Sequence, residues 1–225
     1  MGQYYCWVNV DRKEYLCPDD FDLGNKRHET MHADNALLRA LWELLSSEWK
    51  GCRLVFLGDE CEAPDDTSNE VLSVLRRQQA ESERSGYLFD TVYETYRNVN
   101  CLFRAAEESV RAEINYYMTE REKSDHIPPN IYGIDVNDPY RGFFLREGKS
   151  FQYVINRTKK ICYSYADTKI FLSDHGELPH TDPLPILMAY GGKLWGIGEW
   201  VGDVIDVSDT LPPECTLLSK IHLDH

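Results

Sequence analysis

Residues 1–18 (MGQYYCWVNVDRKEYLCP) limit the architecture more than any other stretch of this chain. Tyr4, Tyr5, Trp7, Val8 and Val10 are aromatic or β-branched and suit a pleated, half-buried surface. Asp11-Arg12-Lys13 interrupts them, with Asp11 able to bond its own downstream backbone. Residues 14–17 then resume the extended pattern until Pro18 stops it. The pattern is that of a β-hairpin. A similar ribbon recurs at 150–163: laid over the first without a gap, Val8-Asn9 falls on Ile155-Asn156 and Arg12-Lys13 on Lys159-Lys160. Each ribbon is followed by a Trp-x-Gly segment that leads into apolar strand residues, at 49–56 and at 200–207. Two matched pairs in one order point to an internal duplication, or to pseudo-symmetric use of two equivalent hairpins.

Between the ribbons the hydrophobic period changes. Leu37, Leu38, Leu41, Leu44 and Leu45 predict a helix over 34–47, capped by Asp34 or Asn35. Residues 54–57 read as a buried strand, 64–68 as a turn and 69–83 as a second helix. From 87 to 123 one long helical pattern, or two helices meeting near 98–100, carries Val92, Tyr96, Val99, Phe103, Ala106, Val110, Ile114 and Tyr117 on one side. Glu107 and Arg111 are spaced to pair on its exposed side. A loop over 126–139, a short strand at 142–146 and a strand at 169–172 are expected next. A loop over 175–185, a loose glycine turn at 191–198 and a last core strand at 204–207 follow. The expected fold is α+β within one domain, 1–225, with candidate repeat halves 1–66 and 149–209 and a helical insert over 67–125.

The start MGQYY, the pattern V-N-x-D-x-K-E-Y, Gly24-x-Lys26 and W-x-G-x-R-L-V-x-x-G-D resemble a family of bacterial, phage and fungal proteins. Residues 156–160, 183–187 and 200–207 are similar to the C-terminal half of that family. The resemblance brackets most of the chain and implies a shared fold; the family carries no activity to transfer. One departure is Arg27, where the family has an apolar residue. Residues 67–148 match none of its motifs.

A net charge of −14 argues against a nucleic-acid surface, since Arg76-Arg77 and Lys159-Lys160 are too small to offset it. It suits basic partners or cation binding. The seven cysteines form no CxxC pair, and no secretory apolar segment precedes them, so reduced thiols in a cytoplasmic protein are expected. Cys6, Cys52 and Cys162 sit in strand runs as small core residues. No apolar run is long enough to span a membrane.

Three sets of residues carry candidate chemistry. His28-Glu29-Thr30-Met31-His32 spells H-E-x-x-H, which on an α-helix sets two imidazoles on one face to hold zinc, with Glu29 as general base. Its third ligand would come from Glu60, Glu62, His175 or His180, and its flanks are polar rather than apolar. The second set is acidic: Asp59, Glu60 and Glu62 after the first core strand, with Asp203 and Asp206 in the matching segment, and Asp59 is the leading candidate for a functional acid. The third comprises Asn9 and Asn156 at equivalent ribbon positions, with Lys26, as candidate binding residues. No nucleophile elbow, dinucleotide fingerprint or P-loop occurs. Tyr132, Tyr140 and Trp195, near turns, are expected to be exposed anchors. The leading expectation is a binding protein without catalysis or cofactor, for a protein or small ligand. The alternative is a zinc-dependent hydrolase built on His28, Glu29 and His32.

Overall fold

The computed structural model describes residues 3–64, 68–82, 86–121, 132–135, 137–173 and 175–223. The residues read as a turn at 65–67 and as a loop at 126–131 lie outside these. The first part of the chain forms β1 (Tyr5–Asn9), β2 (Glu14–Leu16), α1 (Ala36–Leu45), β3 (Leu54–Gly58), α2 (Glu70–Glu81), α3 (Leu88–Thr95), β4 (Arg97–Asn98) and α4 (Glu107–Arg121). Then come β5 (Tyr153–Asn156), β6 (Ile161–Ser164), β7 (Lys169–Leu172), β8 (Gly176–Glu177), α5 (Leu184–Leu187), β9 (Ala189–Tyr190), α6 (Gly192–Trp195), β10 (Ile205–Ser208), β11 (Thr216–Leu217) and β12 (Lys220–Leu223). The fold is α+β, with sheets ordered β4-β2-β1-β3-β9, β10-β5-β6-β11 and β12-β7-β8.

Both ribbons form, and in one register. Val8 faces Tyr15 and Asn9 faces Glu14, as Ile155 faces Cys162 and Asn156 faces Ile161. The third strands also correspond: Asn9 faces Leu54, and Asn156 faces Ile205. Asn9 and Asn156 are fully buried and hold the two reversals. Asn9 Oδ1 accepts from the backbone N–H of Asp11 and of Arg12, each at 3.1 Å, and Asn156 Oδ1 from that of Lys159 at 2.9 Å. Each turn then closes through a lysine at positive φ, Lys13 at 54° and Lys160 at 55°. An asparagine carbonyl that satisfies turn N–H groups is the ordinary reason for this residue at a strand end. The correspondence stops there: α1 has ten residues and α5 four, and among the described residues the α2–α3 pair has no C-terminal counterpart.

Strand β3 joins the two parts. It pairs antiparallel with β1 and parallel with β9, and Arg53, just before it, bridges Val204, just before β10. Alternation along the first sheet splits its side chains between two cores. Trp7, Leu16, Leu54 and Phe56 pack with α1, α4 and the second ribbon, while Cys6, Val8, Tyr15, Val55 and Leu57 pack under α2 and α3. Asn35, not Asp34, caps α1, its Oδ1 accepting from Leu38 N–H at 2.8 Å.

Several expectations are corrected. Of the two alternatives for 87–123, one long helix or two helices meeting near 98–100, the second holds: α3 and α4 are separated by β4 and two 3-10 turns. The stripe is buried as expected, but Asn98 Oδ1 accepts from Asn100 N–H at 2.8 Å, and the Asn100 side chain bonds both backbone groups of Cys17. Those bonds tie the chain to β2 and preclude a continuous helix. No strand forms at 142–146, where Arg146 makes a single bridge to Phe103. Tyr132 is fully buried, not exposed, because its hydroxyl donates to Glu113. Tyr140 is half-buried under Arg111, whose guanidinium stands 4.3 Å from the ring centre while pairing with Glu107 at 2.8 Å. The reduced-thiol expectation fails for Cys6 and Cys17. Hairpin register sets them opposite each other with Cα atoms 4.5 Å apart, and they form a disulfide. Among the described residues no helix is long and apolar enough to cross a membrane.

Asn156 Nδ2 donates to Asp203 at 2.7 Å, whereas the buried Asn9 Nδ2 has no partner among the described groups and Cys52 takes the position corresponding to Asp203. Asp203→Ala should therefore destabilise the protein by about 1–3 kcal/mol in denaturant melts, and Cys52→Asp should raise stability by up to about 1 kcal/mol. A neutral Asp203→Ala would remove the role given to this bond.

Candidate functional site

The hairpin end, the β2 exit, the β3 exit and helices α3 and α4 enclose a cleft of about 570 Å³. Four carboxylates line it. Asp19 and Asp20 come from the 3-10 turn that follows Pro18, Asp59 follows β3, and Glu113 projects from α4. Its aromatic wall is Tyr4, Tyr5, Tyr15, Phe89 and Tyr93, and the Cys6–Cys17 disulfide also contributes. None of its fifteen lining residues is Lys or Arg.

Most of the acids are braced. Asp20 accepts from Asn100 Nδ2 and from Ser109 Oγ, each at 2.6 Å. Asp59 Oδ1 accepts from Tyr4 N–H at 3.0 Å, and Asp59 N–H donates to Tyr4 carbonyl oxygen at 2.8 Å. Glu113 accepts from the buried Tyr132 hydroxyl. These bonds fix the carboxylates without neutralising them. Burial pushes the Glu113 carboxyl up; the Tyr132 hydrogen bond opposes this and Asp20's charge adds to it. Burial on the cleft side, then Asp20, also pushes Asp19 up, although that residue keeps a face in water.

Two buried polar groups complete the site. Tyr15 is 1% exposed, and its hydroxyl lies beside the Asn98 side chain, facing Tyr93, Glu113 and Asp20. Asn25 Oδ1, also on the wall, is buried and without a partner among the described groups. Buried polar atoms are seldom left unmet, and Asn25 Oδ1 lies on the same wall as the carboxylates.

The other sequence candidates lie elsewhere. Glu29–Met31 is a single 3-10 turn, and His32 after it is extended, at φ −62° and ψ 122°. A 3-10 turn advances about 120° per residue, so positions i and i+4 do not share a face as they do on an α-helix. His32 Nδ1 lies 3.3 Å from His180 carbonyl oxygen. Glu29 braces its own turn, accepting from Lys26 N–H at 3.0 Å, with Lys26 Nζ at 3.9 Å. A Cβ at Gly24 would fall 2.2 Å from that carboxylate, which is why glycine stands there. Among the described residues no three His, Cys, Asp or Glu side chains converge as a metal-ligating group. Asn9 and Asn156 serve the ribbon turns, and neither they nor Lys26 line the cleft. Of the predicted site residues only Asp59 belongs to it. Asp19, Asp20, Glu113, Tyr15 and Asn25 were not singled out. The one available signal was the acidic doublet after Pro18, with Ser109 and Glu113 four apart on a helix that packs over it.

No family model, no curated protein and no solved structure matches this chain.

Because folding raises the Glu113 and Asp19 carboxyls, the native state holds more protons than the unfolded chain over the window between the two sets of values. Their contribution to stability is therefore favourable at low pH and declines as pH rises from about 4 through the folded values. Glu113→Gln should flatten that decline in melts across the range. An unchanged pH profile would show that Glu113 is not crowded in the native state.

Proposed function

We propose that the chain is a binding protein whose acidic, aromatic cleft takes a cationic group. The observation that carries this reading is the set of four carboxylates without a lining Lys or Arg among the described residues, together with the buried Asn25 Oδ1, which has no partner among the described groups. An ammonium brings three donors and a guanidinium five, and both bind aromatic faces. Tyr15 meets Phe89 at 6.1 Å and Tyr93 at 6.4 Å, which gives a cation a ring-lined wall beside the carboxylates. A net charge of −14 would steer such ligands toward the protein. The cleft offers binding and orientation, and three of its four acids, Asp20, Asp59 and Glu113, are tied to neighbours.

Calorimetric titration with acetyl-arginine amide, and with the isosteric but neutral acetyl-citrulline amide, tests the reading. The arginine compound should bind and the citrulline compound should not. Affinity should fall with added salt and below about pH 5, as the carboxylates take up protons. Glu113→Gln should weaken binding about tenfold, the effect expected from one charge in a partly desolvated site. Equal binding of the two compounds, or salt-independent binding, would exclude the cleft as a cation site.

A further inference from the structure

A second groove, of about 660 Å³, adjoins the first. Its wall includes Leu194, Trp195 and Ile197, which are 83%, 43% and 51% exposed, three large apolar residues within four positions. Such a patch on a soluble surface usually has something to cover it. The groove and the acidic cleft share no lining residue but are lined by neighbours in sequence and by hydrogen-bonded partners. Tyr5 lines the cleft, while its hydroxyl donates to Gln3 Oε1 at 2.8 Å, and Gln3 lines the groove. A Cβ at Gly191 would meet Trp195 Cβ at 2.3 Å and Tyr5 Oη at 2.7 Å, so the glycine lets the Trp195 turn sit directly against the tyrosine that separates the two depressions. The loop after β3 also serves both, Asp59 facing the cleft and Glu60 and Glu62 the groove. Lys193 is the one base lining the groove among the described residues, and the buried Arg27 guanidinium stands 5.8 Å from the centre of the Trp195 ring.

We infer that the partner is a basic polypeptide segment that places a cationic side chain in the acidic cleft and an apolar or aromatic side chain against Trp195. The inference rests on the cation-binding reading of the cleft and adds the class of ligand. A small polycation satisfies the carboxylates but leaves Leu194, Trp195 and Ile197 uncovered. A polypeptide covers both, and the acids on the groove rim favour basic residues around its apolar anchor. Joining the two contacts in one chain makes the second intramolecular, so affinity rises sharply when the spacing matches.

The test uses a ladder of acetylated Arg-(Gly)n-Trp amides of increasing n, compared with acetyl-arginine amide and spermidine. Affinities are measured by calorimetry, and the Trp195 indole N–H is followed by NMR. At one spacer length the peptide should bind at least about tenfold more tightly than acetyl-arginine amide and shift the Trp195 signal. Trp195→Ala should remove that gain while leaving acetyl-arginine amide binding unchanged. Leu194→Ser, at a position 83% exposed, should reduce the gain without touching the core. Glu113→Gln should weaken every ligand. A ladder without gain, a gain that survives Trp195→Ala, or spermidine binding more tightly than every peptide would overturn the polypeptide inference and leave the cation site standing. Failure of acetyl-arginine amide to bind would sink the cation reading, and this inference with it.

Discussion

Pairing along β3 holds the protein together. All five of its residues are buried, β1 covers one edge and β9 the other, and the residue before it bridges to the second ribbon. Each Leu, Val or Phe removed from water there contributes about 1.5–3 kcal/mol. Because side chains alternate across the strand, one stretch feeds both cores: Leu54 and Phe56 pack toward α1, and Val55 and Leu57 toward α2 and α3. The exit of β3 is consequently a rigid point. Asp59, Glu60 and Glu62 leave from it, and both depressions form around them.

The acidic cleft works against folding in the free protein. Burial, with the charge of Asp20 added, favours the protonated forms of Asp19 and Glu113. Neutral donors keep the arrangement in place: Asn100 and Ser109 for Asp20, Tyr132 for Glu113, and the Tyr4 backbone for Asp59. Elsewhere the chain pairs its acids with bases where they meet. Arg53 reaches Asp11, Arg157 spans Asp206 and Glu214, and Arg146 holds Glu48. The contrast sets the cleft apart, since none of its described lining residues is Lys or Arg.

The local elements were legible because their signals are local. Alternating aromatics marked both ribbons, a leucine stripe marked α1, and their asparagine and glycine punctuation fell where turns require it. The break between α3 and α4 was legible only as an alternative to one long helix. Tyr96, Val99, Phe103 and Ala106 keep a helical spacing, and only the distant backbone of Cys17 diverts Asn100 from a helix. The Cys6–Cys17 pair could have been read from the hairpin register, since two cysteines placed symmetrically about the turn must face each other. The cleft was hidden for a different reason: its carboxylates come from three separated segments, and nothing short-range says that the turn after Pro18 lies beneath α4. The chemistry of H-E-x-x-H depends on helical pitch, which a five-letter pattern does not record, whereas its polar flanks did point to an exposed turn.

The pairing of β3 with β9 also has a consequence for biosynthesis. Phe56 and Leu57 are translated well over a hundred residues before their partners Ala189 and Tyr190. Throughout that interval the nascent chain on the ribosome carries an open strand edge flanked by apolar side chains, the kind that adheres to other edges. Until residues 189–190 are made, that edge of β3 lacks the partner it has in this fold.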